Sequence, residues 1–84
     1  MMLMENQTLR IEDIHVPGKR KKTLDPARVA ELAESILEDG QRVPIRVRQG
    51  NDRYVLVEGL HRLEACKALG EETIVGLLVQ TPRP

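Results

Sequence analysis

Aromatic residues are almost missing from this chain of 84 residues, since Tyr54 is the only one and neither Phe nor Trp occurs. Proteins that bind single-stranded nucleic acid stack its bases on aromatic side chains, so a stacking platform of that kind is excluded. The chain also lacks an excess of charge, because 13 Lys and Arg residues balance 13 Asp and Glu residues. A net charge of zero removes the general electrostatic argument for nucleic-acid binding.

Cysteine and long apolar runs are scarce as well. Cys66 is the single cysteine and cannot form an internal disulfide, so a reducing, cytoplasmic compartment is expected. No run of 18 apolar residues occurs, and Met1 to Glu5 show no basic segment followed by an apolar one. We therefore expect neither a membrane span nor a secretory signal. This length predicts one domain over residues 1–84, with a core at about 9–79 and flexible ends.

The clearest helix signal begins at Asp25, a good N-cap, which Pro26 follows at the first helical position. Apolar residues then recur at helical spacing, and Gly40 provides a typical stop. The predicted apolar face consists of Val29, Leu32, Ala33, Ile36 and Leu37. A second helix is predicted between Gly59 and Gly70.

Strand signals lie around these two helices. A short strand and a turn are predicted over residues 9–16, a hairpin over 44–48 and 53–57, and a final strand over 73–79. The order β-α-β-β-α-β indicates an α+β domain with two helices packed on a mixed sheet. The other face of so small a sheet would be covered by a second copy, as in a homodimer, or would carry polar residues.

The turn into the second helix holds the residues that indicate a binding site. A strand ends, Gly59 allows a tight turn, and His61 and Arg62 occupy the first helical turn. Free backbone N–H groups and the positive end of the helix dipole point at whatever lies there. Cations are unfavourable in a first turn unless an anion lies between them, so the pattern indicates a phosphate site. The alternative is a simple turn with solvated His61 and Arg62.

A basic run, Lys19-Arg20-Lys21-Lys22, precedes the first helix on a predicted loop. It is either a solvated loop, a lid over phosphates, or a non-specific contact for a nucleic-acid backbone. Cys66, in the middle of the second helix, is expected to pack in the core as an inert thiol. No Cys/His cluster suits zinc and no Walker loop occurs, so no metal site is predicted.

At this point several motifs together resemble the ParB N-terminal and sulfiredoxin-like superfamily. The resemblance covers most of the chain, roughly Leu9 to Val79. The matching stretches are residues 24–29, 32–36, 43–47, 59–70 and 70–74.

The resemblance implies a ParB/sulfiredoxin-like fold that binds nucleotides. Sulfiredoxins bind ATP, partition ParB proteins bind CTP, and free-serine kinases and ParB-like nucleases share the fold. The phosphate-holding turn of this superfamily corresponds to Gly59, His61 and Arg62. A basic residue and a hydroxyl residue that contact the nucleotide in sulfiredoxins correspond to Arg28 and Ser35.

The departures from the family pattern exclude some activities. Leu60 occupies the position of the sulfiredoxin cysteine, so sulfinic-acid reduction is not expected. Partition proteins need helix-turn-helix and dimerisation domains, for which 84 residues leave no room. Glu58 corresponds to an acidic residue of the serine kinases and could act as a base or bind a metal ion.

The function predicted from the sequence is phosphate binding of a nucleotide, ATP or ADP first and CTP second, with Mg²⁺ as an optional companion. Weak hydrolysis with Glu58 as the catalytic group would accompany it. Two alternatives stay open: a DNA-associated module of a partition or plasmid system or a ParB-like nuclease, and a small-molecule kinase of the serine type. The basic run would provide the surface for a DNA or protein partner.

Overall fold

The computed structural model describes residues 6–79, which form a five-stranded sheet and three α-helices. The predicted flexible ends lie largely outside the described residues. The strands are β1 (Asn6–Arg10), β2 (Ile14–His15), β3 (Ile45–Gln49), β4 (Tyr54–Glu58) and β5 (Thr73–Leu78), and the helices are α1 (Gly18–Lys21), α2 (Pro26–Asp39) and α3 (Leu60–Ala68).

The sheet has the strand order β1-β5-β3-β4-β2 and mixes parallel and antiparallel pairs. Strand β1 runs antiparallel to β5, β5 parallel to β3, β3 antiparallel to β4, and β4 parallel to β2. The predicted α+β class, the mixed sheet and the central hairpin are therefore confirmed. The crossover helices bring the start of α3 and the start of α2 to the same end of the molecule.

The N-terminal region differs from the prediction of one strand and a turn. A 3₁₀ turn over Ile11–Asp13 divides the segment, so β1 and β2 lie at opposite edges of the sheet. The turn buries Ile11 and Ile14, and the Ile11 N–H donates to the Glu72 carbonyl at 3.0 Å. The spacing of buried residues in this segment is therefore that of a turn rather than of a continuous strand.

The basic run also differs from the prediction, because its first three residues, 19–21, lie in α1 and not in a loop. Pro17 precedes the helix with its φ at −57°, and the Arg20 N–H donates to the Pro17 carbonyl at 3.0 Å. The chain then turns again, since the Thr23 N–H donates to the Arg20 carbonyl at 3.0 Å. Proline sets the backbone for a helical start, and Lys and Arg are good helix formers.

Helix α2 begins and ends where the sequence predicts. The Asp25 carboxylate accepts from the Ala27 N–H at 3.0 Å, and Gly40 ends the helix with a φ of 75°. The predicted apolar face is only partly covered, because no residue of α2 is fully buried. Leu37 is 75% exposed, contrary to its predicted place on this face. Eight residues beyond Val29, it lies about 80° around the helix from it.

Helix α3 carries the core on the sheet. Its Leu60, Leu63 and Cys66 are buried with the inward residues of the strands, whereas α2 packs mainly on α3. The largest fully buried side chains are Ile45, Val47, Leu56 and Leu63. No helix among the described residues combines the length and apolar character needed to cross a membrane.

Candidate functional site

The turn between β4 and α3 forms the floor of the site. Gly59 has a φ of 110°, which L side chains rarely adopt. A Cβ atom at this position would lie 2.7 Å from Cγ2 of Ile45, a fully buried side chain. Glycine is thus required both for the backbone angle and for the close approach of the turn to β3.

The first turn of α3 presents its backbone N–H groups to the surface. The Leu63 N–H donates to the Gly59 carbonyl at 2.9 Å, which closes the first helical turn. The preceding N–H groups of the turn have no partner inside the helix, and no side chain caps it within the described chain. This helix end therefore attracts an anion.

A surface cavity of about 220 Å³ opens at this helix end. Each of the three helices contributes an arginine to its lining: Arg20 from α1, Arg28 from α2 and Arg62 from α3. The remaining lining residues are Thr23, Leu32, Gly59, Leu60 and His61. No carboxylate lines this cavity in the described chain, so its electrostatic character is cationic.

Several residues predicted from the sequence therefore meet here. Gly59, His61, Arg62 and Arg28 line one cavity, as the resemblance implies, and Arg20 is added from the basic run. Because each of these residues is polar or permits a close backbone approach, the cavity suits a multiply charged anion.

Other predicted residues lie outside the lining. Ser35 is exposed on α2, seven residues beyond Arg28. Seven residues bring a side chain back to the same face of a helix but move it about 10 Å along the axis. Lys19, Lys21 and Lys22 are exposed and do not line the cavity either.

Glu58 is engaged elsewhere. Its carboxylate lies 3.5 Å from Nε of Arg46, its partner across the β3–β4 ladder, where the register shifts by an irregularity. The side chain is 68% exposed and does not line the cavity. A base or metal-binding role for Glu58 remains a prediction, and from this position it would require a movement away from Arg46.

His61 connects the two long helices. Its Nε2 atom accepts a hydrogen bond from the backbone N–H of Asp25, the N-cap residue of α2, at 3.0 Å. An accepting nitrogen carries no proton, so the ring is neutral in this arrangement and holds its proton on Nδ1. The family resemblance implies a phosphate contact for His61, and no local pattern in the sequence indicates the contact with Asp25.

Thr23 also lines the cavity, although the sequence does not single it out. Its hydroxyl donates to the Arg20 carbonyl at 2.7 Å, which fixes the loop between α1 and α2. The available signal was a hydroxyl residue between a basic run and an N-cap, a common place for such side chains to bond to the backbone.

Cys66 lies behind the site and is buried in the core. Burial raises the pKa of its thiol above the ordinary value of 9.0, and the charge of Glu71 raises it further, while Arg62 acts in the opposite direction. The thiol is therefore protonated at neutral pH and is a poor nucleophile. Within residues 6–79, no three His, Cys, Asp or Glu side chains are grouped to hold a metal ion.

Comparison with known proteins places this geometry among two groups of relatives. The sequence profile of the ParB N-terminal domain matches residues 3–83. A probable chromosome-partitioning protein ParB of Campylobacter jejuni is 36% identical over 77 residues, which are 88% of this chain and 28% of that protein. A sulfiredoxin of Arabidopsis thaliana is 39% identical over 66 residues, which are 79% of this chain and 53% of that protein.

The solved structures agree in fold. The crystal structure of sulfiredoxin from Arabidopsis thaliana has a TM-score of 0.82 and 34% identity, and the match covers 92% of this chain and 86% of that one. A truncated ParB from Caulobacter crescentus complexed with CTP-γ-S has a TM-score of 0.78 at 24% identity, with 93% and 46% covered. At that identity the second likeness concerns the fold alone. The chain spans about a quarter of the ParB relative and about half of the sulfiredoxin that it matches in sequence.

Proposed function

The chain belongs to the family of ParB N-terminal domains, and from this membership we propose that it binds the phosphate groups of a nucleotide at the start of α3. The observation that carries the proposal is the cavity itself. Three arginines from three different helices line it together with the glycine turn, and no carboxylate of the described chain does. Positive side chains that line one cavity repel one another, and a bound anion relieves that repulsion.

The two kinds of donor have different tasks. Backbone N–H groups after Gly59 would hold phosphate oxygens at close range, because no Cβ lies between the turn and the ligand. The planar guanidinium of Arg62 would bind two oxygens at once, and Arg28 and Arg20 would approach from the opposite wall. Hydrogen bonds to charged groups contribute about 1.5–3 kcal/mol each, so losing one arginine has a measurable effect.

ATP or ADP is the first choice of nucleotide, as the likeness of the Gly59 to Arg62 turn to sulfiredoxins implies, and CTP is the second. The base has little to stack on, because the single aromatic side chain, Tyr54, packs against the core. The phosphates therefore supply most of the affinity, and discrimination between bases is expected to be modest.

Among the described residues, the cavity lining holds no carboxylate that could bind a protein-held Mg²⁺. This ion prefers carboxylate and carbonyl oxygens, whereas the charged groups of the lining are guanidinium groups. Mg²⁺ would thus arrive on the nucleotide phosphates. We propose weak nucleotide hydrolysis only with Glu58 as the catalytic group. If a Glu58→Gln variant releases inorganic phosphate as fast as the native chain, this catalytic role of Glu58 is wrong.

The binding proposal is tested with a panel of ATP, ADP, CTP and GTP in thermal-shift and calorimetric titrations. A ligand that binds only the folded state raises the unfolding temperature. We expect Arg62→Ala to lower nucleotide affinity by about tenfold or more. Arg53→Ala is the matched control, because Arg53 is an exposed arginine of the β3–β4 turn outside the cavity. Equal affinities for the Arg62→Ala variant and the native chain would contradict the proposal.

A second candidate function is contact with a nucleic-acid backbone through α1. Three exposed lysines, Lys19, Lys21 and Lys22, surround Arg20 but do not line the cavity, so they remain available to another anion. Likeness to chromosome-partitioning proteins supports this candidate. Binding to duplex DNA is expected at low salt. The slope of log affinity against log salt concentration should become smaller in magnitude by roughly three when the three lysines are changed to Gln. Absence of binding at 20 mM salt would exclude it.

A further inference from the structure

We infer that His61 serves this site as a positioning residue: its neutral ring accepts the Asp25 N–H and thereby holds the first turn of α2, with Arg28, against α3. The inference rests on the proposed phosphate site for its functional meaning. It departs from the expectation that His61 is a cation on the phosphate. The contact joins residues 36 positions apart and bridges two helices that otherwise meet through partly buried side chains.

The contact replaces a local feature that α2 lacks. In a capping box the residue at the third helical position accepts a hydrogen bond from the N–H of the N-cap residue, and this position is normally Glu or Gln. In α2 the N-cap is Asp25 and the third helical position is Arg28, which has no acceptor. His61 supplies the missing acceptor from α3. The third position is thereby released to carry an arginine that lines the phosphate cavity.

The charges around the cavity favour the same assignment. Arg20, Arg28 and Arg62 already line it, and the N-terminal ends of α2 and α3 add partial positive charge. A fourth cation at His61 would add repulsion, and a proton on Nε2 would face the Asp25 N–H at 3.0 Å. A neutral ring has neither cost, and its Nδ1–H remains available as a donor.

The first test reads the ring directly in the native protein without a ligand. Long-range ¹H–¹⁵N NMR correlations at pH 8 distinguish the two neutral forms of His61. We expect the proton on Nδ1 and none on Nε2. The same spectrum after saturation with inorganic tripolyphosphate should keep this form. A ring with both nitrogens protonated in the complex, or with its proton on Nε2 in the free protein, would overturn the inference.

The second test separates an acceptor from a cation. In Gln, Oε1 is as many bonds from Cα as Nε2 is in His, so His61→Gln keeps the acceptor without a charge, whereas His61→Lys introduces a charge and removes the acceptor. We expect tripolyphosphate affinity within twofold of the native chain for His61→Gln, and about fivefold weaker for His61→Lys and His61→Ala. The reverse order of Gln and Lys would refute the positioning role.

The proposed function and the inference fail in different ways. If the native chain does not bind tripolyphosphate or any nucleotide, the proposed function is wrong, and the ligand-free NMR spectrum still decides the state of His61. If binding occurs but Nε2 carries a proton, the phosphate site stands and the positioning role falls. A stability rescue adds a third measure: in the His61→Ala background, Arg28→Glu should restore the unfolding midpoint through a local capping box, but not the affinity.

Discussion

The two long helices of this domain are held in very different ways. Helix α3 has four buried residues among nine and lies directly on the sheet, whereas α2 has no fully buried residue among fourteen. Helix α2 is joined to the rest by the partly covered side of its apolar face, by the hydrogen bond from Asp25 to His61, and by its C-terminal loop. The candidate site lies between them.

The two walls of the site therefore differ in how firmly they are held. One wall, with Gly59 and Arg62, is as rigid as the core beneath it, because its backbone cannot move without disturbing fully buried side chains. The other wall, with Arg20 and Arg28, rests on few buried contacts and can open at a small free-energy cost. We expect the second wall to adjust when a phosphate arrives.

The largest expected effect comes from the core under α3. Leu63→Ala removes a fully buried side chain and should lower the free energy of unfolding by about 3–4 kcal/mol. Leu32→Ala is the matched change on α2, where the side chain is only partly buried, and should cost about 1 kcal/mol. Urea unfolding measures both. Equal losses would show that the two helices are anchored alike.

A glycine beside each helix provides a second pair of matched changes. Gly59→Ala introduces a Cβ atom 2.7 Å from Ile45 at a φ of 110°, so a loss of about 2–3 kcal/mol is expected, together with loss of phosphate binding. Gly40, at the end of α2, also has a positive φ but no atom within 4 Å of a Cβ. Gly40→Ala should therefore cost about 1 kcal/mol and leave binding unchanged. A Gly59→Ala protein as stable as Gly40→Ala would contradict the crowding argument.

The loop after α2 is fixed to the sheet by one side chain. The Gln41 amide accepts from the Val75 N–H and donates to the Val75 carbonyl, both at 2.8 Å, beside the point where β5 begins to pair with β3. Gln41→Ala leaves two partly buried backbone groups unpaired and should lower stability by about 1–2 kcal/mol.

The control for that change is another glutamine. Gln49 makes one exposed hydrogen bond, to the Gly50 carbonyl at 3.2 Å, so Gln49→Ala should change stability by less than about 0.5 kcal/mol. Hydrogen exchange at Val75 adds a local readout, and protection there that survives Gln41→Ala would argue against this anchor.

The smallest effect concerns the thiol of α3. Because burial raises the pKa of Cys66 in the folded state, the unfolded chain loses its proton first as the pH rises past 9.0. The Cys66 contribution to stability is thus intact below that pH and is lost as the pH rises through the higher folded value. Relative to Cys66→Ala, the native chain should lose stability over that alkaline range, and a constant difference would contradict the shift.

The same chemistry compares the helices at neutral pH. Iodoacetamide should modify Cys66 slowly in the folded protein, whereas a Ser35→Cys thiol in the Cys66→Ala background should react quickly, since position 35 is exposed on α2. Mass spectrometry over time measures both rates. Similar rates would mean that the Cys66 thiol is accessible to the reagent in the folded protein, contrary to its burial.

Much of the fold follows from local signals. The Asp25 cap, the Gly40 stop, the hairpin and the start of α3 at Gly59 all lie where the sequence places them, because caps and turns depend on residues only a few positions apart. The division of residues 9–16 could not be read in this way. Apolar residues occur on both sides of the 3₁₀ turn, and only the order of strands in the sheet shows that they belong to two strands.

The candidate site follows from the sequence in part. The turn residues and Arg28 line the cavity as the family resemblance implies, but Ser35 lies outside it and Glu58 pairs with Arg46. The reason for the second difference is the ladder irregularity at Arg46, which no propensity scale records.

What could be read from the amino-acid sequence is α2, α3, the central hairpin, the glycine turn and the family, because each depends on short spacing or on several motifs in order. Only packing of the whole chain brings Arg20 to the cavity beside Arg28 and Arg62. Arg20, Arg28 and Arg62 lie on separate helices, and the contacts of Asp25 with His61 and of Gln41 with Val75 join residues 36 and 34 positions apart. Such contacts form only when packing of the whole core brings distant segments together, and no local pattern in the chain specifies them.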